Sequence, residues 1–155
     1  MPDTTSPRQI AIVSGGFDPI HSGHVAMILE CTERRGADEV WVILNSNDWL
    51  VRKKGRFFMT YAERAAVVGA MRGVTRTVMA ADEDGTVAET IRDLVQLEHD
   101  VSPATRFLFC NGGDRTDQTT PEQAVCQELG VGLAFGVGGG KTQSSSDILG
   151  RWREA

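Results

Sequence analysis

The chain has 155 residues, with 16 Lys or Arg against 21 Asp or Glu, so its formal net charge is −5. This length favours a single domain that buries an ordinary hydrophobic core without disulfide or metal staples. The excess of acidic residues argues against a general nucleic-acid binder, because neutralising phosphates requires a basic face. Glycine is enriched, since 17 of the 155 residues are about 11% of the chain, against a usual level of about 7%.

The sequence lacks the signals of a membrane or secreted protein. Its apolar stretches are far shorter than the ~20 residues of a membrane-spanning helix, and residues 1–8 form a polar leader without the pattern of a signal peptide. Cys31, Cys110 and Cys126 are odd in number and widely spaced, so we expect reduced and mostly buried thiols. The sequence therefore predicts a cytoplasmic protein with one domain over 9–155.

Apolar runs alternate with helical patterns along the rest of the chain. Strands are predicted at 9–14, 39–45, 75–80, 105–110 and 131–137. Helices are predicted at 22–35, at 65–71 and 86–97 behind capping boxes that begin at Thr60 and Thr86, from Thr120 onward, and at 144–153. This alternation predicts an α/β fold with a mainly parallel, five-stranded sheet. Ligands of such sheets bind at the carboxyl ends of the strands.

A segment with two histidines, SGGFDPIHSGH at 14–24, joins the first predicted strand to the first predicted helix. Gly15 and Gly16 allow a sharp turn and a close approach of the backbone to an anion. The free N–H groups at the start of the following helix, together with its dipole, favour phosphate binding. His21 and His24 are three residues apart and project from one side of the helix start. Two imidazoles directed at one point suit the stabilisation of charge on a transferring phosphoryl group.

The stretch GGFDPIHSGH at 15–24 resembles the GxFDxxHxGH signature of the cytidylyltransferase-like nucleotidyltransferases. Within that group, the pattern is similar to those of the heptose-1-phosphate adenylyltransferases and the glycerol-3-phosphate cytidylyltransferases. The resemblance implies a Rossmann-like, doubly wound fold. It also implies a reaction in which a phosphorylated substrate attacks the α-phosphate of an NTP in line and releases pyrophosphate.

The resemblance also implies roles for individual residues of this segment. His21 and His24 are expected to contact the NTP phosphates and to stabilise the transition state. Asp18 is expected to order the loop or the phosphate site. The remaining nucleotide-binding or phosphate-binding positions of the segment are Gly15, Gly16, Phe17 and Gly23. Mg²⁺ is implied as the cofactor, held by the NTP phosphates and by no protein side chain.

A dense basic run at 52–56 follows the second predicted strand of this acidic chain. A charge run is commonly a solvated loop, but flexible lysines at the carboxyl end of a strand also suit the holding of polyphosphate charge. The stretch NSNDWLVRKKGR is similar to that of the heptose-1-phosphate enzymes, and in the family a lysine of this loop holds the phosphates. The resemblance therefore implies a catalytic lysine, and both Lys53 and Lys54 remain candidates.

Two arginines are expected to bind substrate phosphate. Arg64 lies in TYAER at 60–64, which resembles the Glu-Arg pair of the family, and its planar fork suits a clamp on substrate or NTP phosphate. An exposed helical arginine is the alternative. NGGDR at 111–115 resembles the loop that shapes the nucleotide-base pocket, which implies nucleotide binding by Asp114 and a contact of Arg115 with the acceptor phosphate. An ordinary Asp turn is the alternative there.

Glycines and serines precede the last predicted helix, in GGGKTQSSS at 138–146. This resembles the terminal GxSTT box of the family, which implies that Ser144 and Ser145 meet the NTP phosphates, although serines that only cap a helix would show the same pattern. The cytidylyltransferases carry an arginine five residues before the first serine, where this chain has Gly139, with Lys141 nearby. Either Lys141 substitutes for that arginine or the chain does not use CTP. Because the heptose-1-phosphate adenylyltransferases also lack the arginine, the resemblance favours ATP over CTP.

The sequence therefore predicts a nucleotidyltransferase that transfers NMP from an NTP, with ATP favoured, to a phosphorylated small molecule such as a sugar-1-phosphate or polyol phosphate. Pyrophosphate is released without a covalent enzyme intermediate. The alternatives are a CTP-dependent cytidylyltransferase of the glycerol-3-phosphate type and a nucleotide-binding regulatory domain that catalyses nothing. A homodimer is implied by the family, whereas no nucleic-acid or membrane partner is expected.

Overall fold

A parallel sheet of five strands organises the part of the chain that the computed structural model describes, residues 6–113, 120–139 and 143–154. The strands are β1 (Gln9–Gly15), β2 (Glu39–Leu44), β3 (Val74–Met79), β4 (Arg106–Cys110) and β5 (Gly132–Ala134). Their order in the sheet is β3-β2-β1-β4-β5, and each neighbouring pair is parallel. The chain thus winds outward from β1 to β3 and then in the other direction through β4 to β5. This topology confirms the predicted doubly wound, Rossmann-like α/β fold.

Helices cover both faces of the sheet. They are α1 (Ser22–Glu33), α2 (Asn47–Lys54), α3 (Tyr61–Gly69), α4 (Ala88–Val101), α5 (Gln123–Leu129) and α6 (Ser145–Glu154). Ile10 and Ile12 of β1 pack against residues of α4 and α5, whereas Ala11 and Val13 pack against residues of α1 and α3. We call these two sides of the sheet the α4/α5 face and the α1 face. Because both are buried, the strands have nearly continuous apolar sequences.

Residues 52–54 of the basic run are helical rather than part of a flexible loop, so that part of the sequence prediction was wrong. Helix α2 begins after Ser46, whose Oγ accepts a hydrogen bond from the Trp49 N–H at 3.0 Å. It ends at Gly55, which adopts the left-handed conformation with a φ of 85°. The cations at 52–54 occupy its last turn, where they complement the negative end of the helix dipole.

Helix α4 does not begin at the capping box predicted from Thr86. Its N-cap is Val87, and the Thr86 hydroxyl donates to the carboxylate of Asp84 and accepts a hydrogen bond from the Ala88 N–H at 3.3 Å. Oε1 of Glu122, the residue before α5, accepts a hydrogen bond from the Val87 N–H at 3.2 Å. A residue distant in sequence therefore adds to the local hydrogen bonds at this helix start.

Two findings concern the expectations about compartment. Across the described residues, no helix combines the length and the hydropathy that crossing a membrane requires. Cys31, Cys110 and Cys126 are free and buried, as the sequence predicts. Most of the polar leader predicted at 1–8 lies outside the described residues.

Candidate active site

A pocket of about 840 Å³ opens at the edge of the sheet where the parallel strands end, which we call the carboxyl edge. Its walls come from the segments that follow all five strands and from the first turns of α1 and α6. Predicted site residues in its lining are Gly15, Gly16, Phe17, Asp18, His21, Gly23, His24, Lys53, Lys54, Ser144 and Ser145. Asp114, Arg115 and Lys141 lie outside the described residues.

The two histidines form a reciprocal capping box at the start of α1. Nδ1 of His21, the N-cap, accepts a hydrogen bond from the Gly23 N–H at 3.0 Å, and Nδ1 of His24 accepts one from the His21 N–H at 3.2 Å. Because each Nδ1 is an acceptor, each neutral imidazole carries its proton on Nε2. A Cβ at position 23 would lie 2.9 Å from the His21 ring, which explains the glycine between the histidines.

Burial keeps these imidazoles neutral. The pKa of His24 falls to about 3, chiefly because the ring is desolvated and further because of the positive charges of His21 and Lys54. Desolvation also lowers the pKa of His21 below its ordinary value. At neutral pH the pair therefore offers two Nε2–H donors to an anion without itself requiring a proton.

Asp18 fastens the glycine turn to the segment before α3. Its buried carboxylate accepts hydrogen bonds from the N–H groups of Phe58 at 2.7 Å and Met59 at 2.6 Å. The preceding residue, Phe17, has a φ of 53° and a buried ring whose centroid lies 4.6 Å from that of His24. Of the two roles expected for Asp18, these hydrogen bonds fit the ordering of the loop.

Arg64 is buried beneath the loops that form the pocket and is not part of the pocket lining. This position corrects the expectation from the sequence that Arg64 clamps substrate or NTP phosphate. The residue is 1% exposed. Its guanidinium donates to the carbonyl oxygens of Gly16, Asn45 and Met59 and to Oδ1 of Asn47, at 2.7–3.0 Å. Four of the five N–H groups of an arginine are thus used inside the protein, so Arg64 fixes the ends of β1 and β2 relative to α3.

The two candidate lysines lie on the last turn of α2 and have different surroundings. Nζ of Lys53 lies 4.6 Å from the centroid of the Trp49 ring, a cation–π contact. Burial lowers the pKa of Lys54, an effect opposed by the negative charge of Asp18. The positive charge of Lys54 also helps to lower the pKa of His24. Of the two lysines, Lys54 is therefore the one whose charge influences the histidine pair.

The serine box is held against the first motif by direct contacts. Ser144 Oγ accepts a hydrogen bond from the Asp147 N–H at 3.0 Å and so caps α6, while Ser145 Oγ donates to the carbonyl of Pro19 at 2.7 Å. Ser146, which the sequence prediction did not single out, also lines the pocket. The first turn of α6 therefore faces the pocket that the histidine pair also lines.

Two glycines of the pocket wall pack directly against α1 and its neighbours. Gly138 has a φ of 88°, and a Cβ there would lie 2.7 Å from the backbone nitrogen of Met27. A Cβ at Gly112 would lie 3.0 Å from Sδ of Met27 and 3.2 Å from the carbonyl oxygen of Val137. The backbone thus approaches α1 more closely than any side chain would permit.

Several lining residues were missed by reasoning from the sequence. They are Asn45, Trp49, Asn111, Glu122 and Gln143. Asn45 and Asn111 directly follow β2 and β4, so the rule that ligands bind at strand ends contained the signal. Glu122 had no such signal, because only the packing of α5 against α4 brings it to the pocket.

Comparison with known proteins agrees with the family resemblance found in the sequence. A family model described as cytidylyltransferase-like matches residues 12–129, more than half of the chain. The bifunctional protein HldE of Gluconacetobacter diazotrophicus is 34% identical over 150 residues, which cover 95% of this chain and 28% of that protein. A probable nicotinate-nucleotide adenylyltransferase of Mycolicibacterium vanbaalenii is 26% identical over 113 residues, 69% of this chain and 50% of that protein. The chain spans half or less of the length of these curated relatives.

A solved structure shares the fold. The lipopolysaccharide core biosynthesis protein of Thermoplasma volcanium superposes with a TM-score of 0.56 at 19% sequence identity, covering 81% of this chain and 92% of that chain. At this identity the likeness concerns the fold alone.

Proposed function

The chain belongs to the cytidylyltransferase-like family, and from that premise we propose that it transfers a nucleoside monophosphate from an NTP to a phosphorylated small molecule, with release of pyrophosphate. The observation that carries the proposal is the histidine pair, whose two Nε2–H donors belong to one turn of α1 and line the pocket. A pocket that only bound nucleotides would not require two neutral donors fixed in this way.

The reaction is an in-line displacement at the α-phosphorus. An oxygen of the acceptor phosphate forms the new bond to the α-phosphorus, and the bond from that phosphorus to the bridging oxygen of pyrophosphate breaks. His21 and His24 donate hydrogen bonds to the phosphoryl oxygens, on which charge accumulates. Lys54 and the first turn of α6 hold the polyphosphate, so catalysis consists of positioning and charge stabilisation.

We propose that Mg²⁺ enters with the NTP. Among the residues that the structure describes, no group of three or more His, Cys, Asp or Glu side chains is arranged to hold a metal ion. The carboxylate of Asp18 in the pocket wall is already bonded to two backbone N–H groups. When bound, the ion neutralises charge on the phosphates of the NTP.

ATP is the preferred nucleotide in this proposal, and a sugar-1-phosphate or polyol phosphate is the acceptor. The cytidylyltransferase arginine is missing from the serine box, where Gly139 stands instead, and one relative is named an adenylyltransferase. CTP with a glycerol-3-phosphate type of acceptor is the second candidate. A cytoplasmic location fits the buried free thiols, and a homodimer stays a prediction to be checked by light scattering.

A pyrophosphate-release screen tests the proposal. It crosses ATP, CTP, GTP and UTP, each with Mg²⁺, against a panel of phosphorylated sugars and polyols. We expect turnover with ATP and loss of that turnover in His24→Asn. His99→Gln is the control, because His99 bonds to the Thr105 carbonyl at 2.9 Å and does not line the pocket. Turnover with CTP alone would refute the nucleotide preference, whereas nucleotide binding without any pyrophosphate would favour the regulatory domain.

A further inference from the structure

Asn45 directly follows β2, and both polar groups of its backbone are used inside the protein. Its N–H donates to the carbonyl oxygen of Gly15 at 2.9 Å, and its own carbonyl oxygen accepts a hydrogen bond from Arg64 at 2.7 Å. The residue is 5% exposed and lines the pocket. The side chain therefore starts from a fixed backbone at the carboxyl edge.

The buried carboxylate of Asp82, which follows β3, fixes the orientation of the Asn45 amide. Oδ2 of Asp82 accepts a hydrogen bond from Nδ2 of Asn45 at 3.1 Å. The oxygen and nitrogen of an amide are told apart by their hydrogen bonds, and a carboxylate that receives donors must face the nitrogen. The reversed amide would place Oδ1 of Asn45 against Oδ2 of Asp82, so this orientation is excluded.

The carboxylate of Asp82 is itself held in place by α2. Ser46, the N-cap of that helix, donates to it from its N–H at 2.9 Å and from its Oγ at 2.7 Å. Arg52, in the last turn, donates from Nη2 to the carbonyl oxygen of Asp82 at 2.8 Å, and the same Nη2 lies 4.0 Å from Oδ1. These contacts fix the carboxylate and, through it, the amide of Asn45.

The amide oxygen of Asn45 is left as a hydrogen-bond acceptor. No residue that the structure describes donates to this Oδ1, and the oxygen is not among the described buried atoms that lack a partner. It is therefore accessible from the pocket that the residue lines. The nearby cation of Lys53 lies over the Trp49 ring instead. An acceptor so placed favours a ligand that brings its own donor.

We propose that Asn45 is a specificity-determining residue, whose Oδ1 accepts a hydrogen bond from a hydroxyl or amino group of a bound substrate, and that Asp82 is the positioning residue that keeps this oxygen turned to the pocket. The inference rests on the proposed function, because it takes the pocket to be the substrate site. Such donors occur both in a phosphorylated acceptor and in the ribose or base of an NTP. A ligand without a donor at this point leaves the oxygen unpaired and is bound less tightly.

The test measures equilibrium binding of parent ligands and of analogues that lack one donor group to the full chain. The nucleotide arm compares ATP, with Mg²⁺, with 2′-deoxy-ATP, 3′-deoxy-ATP and purine riboside triphosphate, which lacks the amino group of the base. The acceptor arm adds α,β-methylene ATP and compares glucose 1-phosphate, mannose 1-phosphate and glycerol 3-phosphate with analogues that lack one hydroxyl. We call the dissociation constant of an analogue divided by that of its parent the group ratio.

Asn45→Ala removes the acceptor oxygen. For one particular group we expect a group ratio of about threefold to tenfold in the wild type and a ratio close to one in Asn45→Ala, because the variant has no oxygen to lose. The arm in which this group is found shows whether the acceptor or the NTP supplies the donor. If no group ratio in either arm differs between the two proteins, including the case in which no acceptor binds, the proposal is overturned.

Asp82→Asn tests the positioning role. An asparagine at 82 can present either an oxygen or an amino group, so both orientations of the Asn45 amide become possible. We expect the group ratio to fall at least twofold, whereas Asp48→Asn, at an exposed residue of α2 outside the pocket lining, leaves it unchanged. A purely structural role of Asp82 would weaken parent and analogue equally. An unchanged ratio in Asp82→Asn would therefore overturn the role proposed for Asp82.

Two provisions keep the test decisive. If Asn45→Ala does not fold, Asn45→Ser, whose hydroxyl is too short to replace the amide oxygen, and Asp82→Asn give the same comparison. The group ratio is a binding measurement, so it is independent of turnover. A ratio that depends on Asn45 without pyrophosphate release from any acceptor would refute the proposed function while the binding role stands. Pyrophosphate release with ratios that do not depend on Asn45 would refute this inference alone.

Discussion

The imidazole rings of His21 and His24 are stacked, with their centroids 3.8 Å apart and their planes inclined by 26°. Each ring also accepts, through Nδ1, a backbone N–H of the same helical turn. The same atoms therefore begin the helix and fix which nitrogen of each ring faces the pocket. Structure and proposed catalysis can be separated by side chains that keep the cap but lack Nε2.

His21→Asn provides that separation. Asparagine is among the best N-cap residues, so the free energy of unfolding should stay within about 1 kcal/mol of the wild-type value. Loss of one charge-stabilising donor should lower kcat by ~10²–10³. Urea unfolding and steady-state kinetics measure the two quantities. Near-normal kcat in a folded variant would show that His21 does not serve the reaction.

The low pKa of His24 predicts a pH dependence of stability. Above pH 6.5 the imidazole is neutral in both the folded and the unfolded chain, so it does not change the free energy of unfolding with pH. As the pH falls below 6.5 the unfolded chain gains a proton, while folded His24 gains none until about pH 3. The free energy of unfolding should therefore fall by about 1.4 kcal/mol per pH unit on this account.

Urea unfolding at pH 7 and pH 5 measures this effect, with His24→Asn as the comparison. The variant keeps an oxygen that can accept the His21 N–H but has no titrating ring. Its stability should decline less than that of the wild type over the same interval, by about 2 kcal/mol. Identical declines would mean that His24 titrates normally in the folded protein.

Gly138→Ala should disrupt the junction between the serine box and α1. The new Cβ would lie 2.7 Å from the Met27 nitrogen at a φ of 88°, so the loop must move away. We expect a loss of stability of about 1–3 kcal/mol and a raised KM for the NTP. Gly136→Ala is the matched control, because its φ is 65° but nothing lies within 4 Å of the added Cβ. An equal effect on KM in both variants would argue against the close approach as the cause.

Arg64→Lys tests whether this arginine supports the loops or clamps phosphate. A lysine cannot supply the four hydrogen bonds of the guanidinium, and each buried acceptor left without a donor costs about 1–3 kcal/mol. The melting temperature should therefore fall clearly, while the folded variant keeps its KM values. Arg72→Lys, at an arginine whose side chain is 79% exposed, should change neither. A large rise in KM without loss of stability would instead support the hypothesis that Arg64 binds substrate phosphate.

The sequence was sufficient to predict the sheet and the first motif, because both depend on local patterns. Apolar runs such as the one in β2 and the capping signal at Thr60 act over a few residues, and the cap forms as expected. The spacing of His21 and His24 similarly has a local meaning, that of a capping box. Patterns of this kind depend on neighbouring residues only, so the tertiary structure does not alter what they predict.

Features that depend on long-range packing were not predictable. Arg64 carries the motif of a phosphate ligand, yet its partners come from the ends of two strands and are known only once the sheet is formed. Glu122 meets Val87 only because α4 packs on α5. Helix α2 was mistaken for a loop because it is short and carries its charges together, although Ser46 and Gly55 marked its ends.

The most direct test of the proposed reaction is ³¹P NMR of the protein with ATP, Mg²⁺ and an acceptor that supports turnover. Attack at the α-phosphorus predicts one pyrophosphate for each acceptor consumed, together with a new pair of coupled signals from a diphosphate-bridged product. The same mixture with His21→Asn should show neither within the same time. Formation of ADP or of free phosphate without the bridged product would contradict nucleotidyl transfer.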